Sequence, residues 1–132
     1  MAILNLTPHS VEFYNQIQFE NLEQRNATTW VADSVTGCPV AEFASVGELR
    51  IATATTEAEP TEGIPTVETV YGEVTGIPST VSDDDVLIVS LPAMSMARAA
   101  NHPLAQQMVC PYQVVRLRSN TSTVLGAMGL TK

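Results

Sequence analysis

Apolar and polar residues alternate over short segments along most of this chain, a pattern typical of β-strands. Most of these segments end at proline, glycine or asparagine, which favours turns between them. Gly72 lies inside one segment and indicates a β-bulge or a close backbone approach there. The predicted strands are residues 2–6, 11–14, 48–54, 66–75, 86–89, 112–118 and 124–128.

Residues 86–89 differ from the other segments because their apolar run is continuous. Such a run is typical of a strand buried on both faces, so this strand is predicted to be central. A helix is predicted over residues 93–100, with Ser90 as its cap and Pro92 in its first turn. A second short helix is predicted over residues 104–109, before Pro111.

Two stretches lack a regular period. Residues 15–47 are polar and rich in turns, with Phe19, Trp30 and Phe43 predicted as anchors onto the core. Residues 57–63 are predicted to form an acidic connection between two strands. A turn is predicted at residues 120–122, where the chain folds back to form the C-terminal hairpin.

Together these elements predict an α+β fold in a single domain over residues 1–132. Its sheet is predicted to be mostly antiparallel, with about six or seven strands and one or two short helices before a C-terminal hairpin. At 132 residues with 45% apolar composition, the chain is long enough for one packed core.

The distribution of charge changes this picture more than the net charge of −8 does. All 14 acidic residues lie at or before Asp85, whereas Arg98, Arg116, Arg118 and Lys132 follow it. An acidic part beside a basic part disfavours long nucleic acid and favours a small anion at the basic part. The same asymmetry fits a homo-oligomer in which the basic face meets the acidic face of a neighbouring subunit.

Targeting and metal signals are sparse. The start has no basic leader and no apolar run reaches the ~20 residues of a membrane span, so a cytoplasmic protein without a membrane partner is expected. Cys38 and Cys110 are isolated and are predicted to be buried thiols. The run Asp83-Asp84-Asp85 is predicted to be a solvated turn, and no metal or cofactor is expected.

Catalytic signatures are also lacking in the sequence. His9 and His102 are the only histidines, each beside a proline. The chain has no nucleophile elbow, phosphate-binding loop, dinucleotide fingerprint or zinc-protease motif. We therefore expect a binding or assembly protein and not an enzyme.

Arg116 and Arg118 form the strongest local feature for binding. Alternation along residues 112–118 places both guanidinium groups on one strand face, with Tyr112 in the same register. Two bidentate donors beside an aromatic ring suit phosphate and base recognition. An ordinary exposed strand face has the same pattern.

Three further motifs occur together in this chain. It has Asn5-Leu6-Thr7-Pro8-His9 near its start. It has a central segment from Gly63-Ile64-Pro65 to Gly76-Ile77-Pro78 that contains Tyr71-Gly72-Glu73-Val74. It also has Leu87-Ile88-Val89-Ser90 before an alanine-rich helix. As a set these motifs resemble a family of small proteins from phages, prophages and their bacterial hosts. Gly47-Glu48-Leu49-Arg50-Ile51 stands where family members have Gly-x-x-Ala-Arg-Val.

The family is similar in size and setting to the Thoeris anti-defence sponges, phage proteins that sequester cyclic nucleotide immune signals. The resemblance implies a protein of the infected host cytoplasm that holds a cyclic nucleotide or ADP-ribose-like ligand without cleaving it. It implies Arg50, Tyr71, Arg116 and Arg118 as ligand contacts, to which the strand pattern adds Tyr112. The alternative is a virion structural protein, such as a capsid decoration protein, with capsid proteins as partners.

Overall fold

A mixed β-sheet forms the centre of the molecule. The computed structural model describes residues 2–132, and its largest sheet has eight strands. The strands are β1 (Ile3–Asn5), β2 (Val11–Phe13), β3 (Phe19–Glu20), β4 (Glu23–Gln24), β5 (Trp30–Ala32), β6 (Ser34–Val35), β7 (Ala41–Phe43), β8 (Arg50–Thr61), β9 (Ile64–Thr75), β10 (Val86–Ile88), β11 (Met108–Leu117) and β12 (Asn120–Thr131). The main sheet has the order β1-β10-β11-β12-β2-β7, while β5 pairs with β11 and β4 with β5.

The pairings confirm the α+β class and add parallel neighbours to it. β10 lies parallel to both β1 and β11, whereas β11 and β12 form an antiparallel hairpin. The turn at residues 7–10 does not join β1 and β2 as a hairpin, because the two strands lie at distant positions in the sheet. There are more strands than predicted, because residues 15–47 contribute several of two or three residues.

The strand predicted to be central is confirmed. Leu87, Ile88 and Val89 are fully buried. Leu87 and Val89 contribute to one core cluster and Ile88 to another, so side chains of this segment pack on both faces of the sheet. Burial on both faces explains why its sequence is a continuous apolar run.

The predicted helix is also confirmed, as α1 (Leu91–Ala99). Ser90 caps it by accepting a hydrogen bond from the amide of Ala93 at 3.3 Å. Its buried residues Ala93, Met94 and Ala97 pack in the same core cluster as Leu87. Small residues at two of these three positions let the helix approach the sheet closely.

The second predicted helix is wrong in extent. Only residues Ala105–Gln107 are helical, as a 3₁₀ turn, and Met108 already begins β11. Met108 is 1% exposed and lies beside Leu87 in the parallel pair. Core burial in the sheet therefore overrides the helix propensity of this segment.

β8 and β9 form a two-stranded hairpin that is separate from the main sheet. The predicted acidic connection over residues 57–63 is wrong, because most of it continues the strands. The turn is confined to Glu62 and Gly63, both at positive φ. Two central residues at positive φ match the twist of a tight hairpin. The bulge expected near Gly72 is confirmed by a register shift between Ile51 and Thr53.

The C-terminal hairpin is present, but its turn is displaced from the predicted position. Leu117 pairs with Asn120, so the turn lies at residues 118–119 and not at 120–122. Register shifts flank Arg116, and Gln113 has a φ of 54°. The regular alternation predicted for residues 112–118 is therefore interrupted, and Arg118 lies beyond the end of the strand.

The three aromatic residues predicted as anchors in residues 15–47 all pack on the core. Phe19 is buried against Tyr14, with ring centroids 5.7 Å apart. Trp30 packs against the same cluster, and Phe43 makes an edge contact with Phe13 at 6.1 Å. These contacts hold an otherwise polar segment against the sheet.

Candidate functional site

A cavity of about 540 Å³ opens where β2, β11 and β12 meet. Its lining is mainly apolar, and its polar members include several hydroxyl groups and one imidazole. Its lining residues are Thr7, His9, Ser10, Val11, Glu12, Ser90, Pro111, Val114, Ser122, Val124, Leu125, Gly126 and Ala127. An apolar concavity of this size with a few polar groups is the usual form of a small-molecule site. We call it the binding cavity.

One wall of the binding cavity is positioned by the buried side chain of Asn5. Its amide nitrogen donates to the carbonyl oxygens of His9 and Phe43, both at 2.8 Å. Its oxygen accepts from the amide and the hydroxyl of Thr7, at 3.0 and 2.6 Å. The Asn5-Leu6-Thr7-Pro8-His9 motif is therefore a side-chain-stabilised turn that places Thr7 and His9 at the cavity.

The start of α1 forms part of a second wall. Ser90, the capping residue, lines the binding cavity. The amide groups in the first turn of a helix give that end a positive partial charge. An anion held near Ser90 would be stabilised by this partial charge.

Arg116 is next to the lining of the binding cavity. It is the cross-strand partner of Val124, a lining residue, at a point where register shifts interrupt the regular strand pairing. Its guanidinium donates to the carbonyl oxygen of Thr121 at 3.1 Å. Within residues 2–132, no carboxylate lies within ion-pairing distance of this guanidinium. Its charge is therefore not neutralised by the protein.

Glu12 and Tyr14 form a hydrogen-bonded pair beside the cavity. The Tyr14 hydroxyl donates to Glu12 Oε2 at 2.7 Å. This bond, together with burial, raises the pKa of Tyr14 to about 12. The Tyr14 ring lies over Gly126, where an added Cβ would come within 2.6 Å of ring carbon Cδ2. Only a glycine at this position allows the ring to lie so close to β12.

The residues predicted as ligand contacts fall into two groups in the structure. Arg50 and Tyr71 lie on the β8–β9 hairpin, where Arg50 donates to Glu48 at 2.9 Å. Tyr112 and Arg116 lie on β11, and Tyr112 is half exposed. None of the five lines the binding cavity; Arg116 is the cross-strand partner of the lining residue Val124.

Arg118 has a different environment from Arg116. Its guanidinium contacts Asp33 Oδ1 at 2.8 Å and Glu23 Oε1 at 3.5 Å, and it also donates to the carbonyl of Asn21. Hydrogen bonds from Asn21 and Arg118 lower the pKa of Asp33. Arg118 therefore ties the segment before β5 to the end of β11.

Sequence reasoning did not select His9, Glu12 or Ser90 as site residues. The signal was present in part, because His9 and Ser90 belong to the motifs that carry the family resemblance. These two motifs are more than 80 residues apart, and only the parallel pairing of β1 with β10 brings them to one cavity. Glu12 had no comparable signal in the sequence.

The part of the chain that the structure describes contains no cluster of side chains that could bind a metal ion. No group of three or more histidine, cysteine, aspartate or glutamate side chains is arranged to hold an ion there.

The two cysteines have different environments. Cys110 is buried, which raises its pKa. The prediction of a buried thiol is wrong for Cys38, which is exposed. Asp85 is also buried and not solvated, because its carboxylate accepts backbone hydrogen bonds from Ala2 and Ser82.

Comparison with known proteins does not identify the chain. No protein-family model matches it, and neither a curated protein nor a solved structure matches it. None of the helices among residues 2–132 has the length and hydropathy to span a bilayer. The function must therefore be argued from the binding cavity and its surroundings.

Proposed function

We propose that this protein binds a small phosphate-bearing nucleotide in the binding cavity and holds it without cleaving it. The observation that carries the proposal is the guanidinium of Arg116, which has no ion-pair partner among residues 2–132 and whose residue pairs with a lining residue of an apolar cavity of about 540 Å³. This volume is in the range of ordinary small-molecule sites. A cation beside an apolar surface suits a ligand that has both an anionic and an aromatic part.

The phosphate end of the ligand is assigned to Arg116 and the start of α1. Arg116 offers bidentate donors, and the helix start adds the partial charge of its first-turn amides. Ser122 and Ser90 line the same cavity and supply hydroxyl donors. An anion there meets donors from two separate elements of the fold.

The nucleoside end is assigned to the apolar part of the lining. Val11, Val114 and Ala127 provide apolar surface for the face of a base. Glu12 also lines the cavity, and its carboxylate oxygen that does not accept the Tyr14 bond is a suitable acceptor for a ribose hydroxyl. The proposal therefore places the one lining carboxylate away from the phosphates.

The ionisable groups beside the cavity support binding without chemistry. The Tyr14 hydroxyl has a pKa raised to about 12 by its bond to Glu12, so it remains protonated at neutral pH. The Glu12 carboxylate accepts that bond through one of its two oxygens. A phenol with a pKa so far above neutral is not matched to proton transfer near pH 7.

The biological setting of the proposal comes from the resemblance to phage-associated proteins. A protein that binds a nucleotide immune signal without cleaving it would act as a sponge in the cytoplasm of an infected bacterium. Thoeris signals, which are cyclic or ADP-ribose-derived nucleotides, are the first ligands to test.

The test measures depletion and recovery of ligand. The protein is incubated with a panel of cyclic nucleotides and ADP-ribose derivatives, free ligand is quantified, and bound ligand is released by heat and identified by mass. We expect one ligand to be depleted stoichiometrically and recovered intact. No depletion across the panel, or recovery of a cleaved product, would contradict the proposal.

Two arginine variants sharpen this test. Arg116→Ala should weaken binding by about 2 kcal/mol, or roughly thirtyfold, because a phosphate would lose its charged partner. Arg118→Ala is the matched control, since Arg118 is occupied by Asp33 and Glu23. Equal losses in both variants would place the ligand elsewhere.

The exposed β8–β9 hairpin favours a second candidate, a virion structural protein. Long hairpins that extend from a small body are suited to contacts between subunits of an assembly. This candidate predicts no nucleotide affinity and stoichiometric amounts of the protein in purified particles. Quantitative mass spectrometry of particles separates the two candidates.

A further inference from the structure

Among residues 2–132, the outer part of the β8–β9 hairpin pairs with no other strand. Ile51 and Val74 at its base pack against the core cluster that contains α1. Beyond them, residues 52–73, which we call the arm, are almost entirely exposed. Each of its strands is about ten residues long, so the arm extends by about 30 Å.

An isolated two-stranded ribbon is only marginally stable in water, and its open edges invite pairing. This arm also exposes aliphatic side chains, with Ile64, Val67 and Val70 between 46% and 64% accessible. A surface with these properties is expected to be covered by another molecule.

The charge of the arm restricts what can cover it. All of its charged residues are glutamates: Glu57, Glu59, Glu62, Glu68 and Glu73. Pairing of two arms would bring like charges together, which is destabilising. The covering surface must therefore be cationic and partly apolar.

The outer face of α1 has this character. Leu91, Ser95 and Arg98 follow each other at helical spacing, all exposed, and Leu91 is 59% accessible. Within residues 2–132, Arg98 has no carboxylate within ion-pairing distance. It also opens onto a second cavity of about 440 Å³, lined by Arg98, Asn101, His102, Pro103, Ala105 and Gln106.

This second cavity is suited to carboxylates and backbone carbonyls. Its lining contains no acidic side chain. His102 accepts a hydrogen bond from the Leu104 amide at Nδ1, which leaves Nε2–H as the donor of the ring. A guanidinium and an imidazole donor therefore lie at one end of a helix face whose other end is apolar.

We propose that the arm of one copy of this protein docks across the outer face of α1 in a second copy. Within its own chain the arm is exposed and leaves that face open. Each copy has both surfaces, and we assign a reciprocal arrangement in which two copies exchange arms and close as a two-fold dimer. Glu68 and Val70 share one face of the arm, being two residues apart on β9, and are assigned to Arg98 and Leu91.

Sedimentation equilibrium without nucleotide tests this dimer. In a shortened variant, Thr53 and Tyr71, which are cross-strand partners, are joined by Asn-Gly, so that the base of the hairpin is kept. We expect the wild-type chain to be dimeric at micromolar concentration and the shortened variant to be monomeric with unchanged circular dichroism. A monomeric wild-type chain, or a shortened variant that still dimerises equally well, would overturn the proposal.

Single charge reversals test the same contact in a full-length chain. Arg98→Glu and Glu68→Lys should each raise the dimer dissociation constant by about tenfold or more, and the double variant should recover most of this loss. Lys132→Glu and Glu42→Lys are the matched controls, since both are exposed reversals outside the arm and outside α1. Controls that weaken the dimer as much as the two test variants would overturn the assigned contact.

These measurements do not depend on the proposed nucleotide site. The binding cavity and the second cavity have no lining residue in common. Ser90, which lines the binding cavity, precedes α1 but is not part of its outer face. A chain that dimerises but depletes no nucleotide would contradict the proposed function alone. A monomer that binds nucleotide would contradict the arm proposal alone.

Discussion

The side-chain amide of Asn5 donates a hydrogen bond to the backbone carbonyl of His9 at 2.8 Å. Asn5 is 1% exposed, and its remaining polar capacity is used by Phe43 and Thr7. One buried amide therefore joins β1, the following turn and β7. The geometry of one wall of the binding cavity depends on it.

Replacing Asn5 by alanine should lower the free energy of unfolding by about 3 kcal/mol, because buried carbonyl and amide groups would lose their partners. Urea denaturation measures this loss. Asn26→Ala is a matched control, because Asn26 makes the same side-chain contacts with Thr28 on an exposed turn. Similar losses in both variants would show that the buried bonds contribute little.

Close packing of Tyr14 on Gly126 gives a second prediction. Gly126→Ala should destabilise the fold by about 2 kcal/mol, since the new methyl group would displace the ring or bend β12. Gly72→Ala is the control, because a Cβ at Gly72 would meet only ordinary contacts at 3.5 Å or more. Thermal denaturation of both variants checks the difference. A stable Gly126→Ala protein would mean that the ring moves freely.

The two glycines that bracket β9 should respond differently to the same substitution. Gly63 and Gly76 both have positive φ, so alanine is strained at either position by about 1 kcal/mol. A Cβ at Gly63 would meet nothing within 4 Å, whereas one at Gly76 would lie 1.8 Å from the Glu48 carbonyl oxygen. Gly76→Ala should therefore cost about 3 kcal/mol or more, as measured by urea denaturation. Equal costs would contradict the close backbone contact at the base of the hairpin.

Asp85 should make stability depend on acid pH. Hydrogen bonds from the amides of Ser82 and Ala2 hold its pKa below the ordinary value of 3.8. The folded state thus favours the carboxylate, so this contribution is full above pH 3.8 and is lost as pH falls through the folded-state pKa. Asp85→Asn should lower stability at pH 7 and flatten the profile below pH 4, as measured by denaturation at a series of pH values.

The exposed neighbour Asp83 provides the control for this experiment. Asp83→Asn removes the same charge from the same turn without removing the two backbone hydrogen bonds. Its acid profile should follow that of the wild-type chain. An Asp85→Asn profile that also follows the wild type would exclude the proposed origin of the acid sensitivity.

The sequence predicted those strands and helices whose local pattern of apolar and polar residues matches their burial in the fold. The run at residues 86–89 and the helix after Ser90 both have a pattern that matches their packing. The outer part of the arm, residues 55–65, was not predicted as strand, because glutamate and proline are poor strand residues and an exposed ribbon does not need alternation. Met108 was assigned to a helix because its burial in a parallel pair has no local signature.

The binding cavity was less predictable than the elements around it. Its walls come from residues 7–12, Ser90, β11 and β12, and only the sheet order brings these together. The strand pattern singled out Arg116 and Arg118 together, but it could not show that Arg118 forms an ion pair with Asp33. Strand periodicity predicts the face of the sheet on which a side chain lies, but it does not predict which other side chains will contact it there.

The parallel pairing of β1 with β10 also sets the order in which the chain can fold during synthesis. The Ala2 amide and the Asp85 carboxylate that it contacts are 83 positions apart. At ordinary translation rates, about 5–20 residues per second, the first strand waits roughly 4 to 17 s for its partner to be made. The contacts of Asn5 with residues 43–46 can form after about half of that interval, but the edge of β1 that pairs with β10 stays open on the ribosome until residues 86–88 are made.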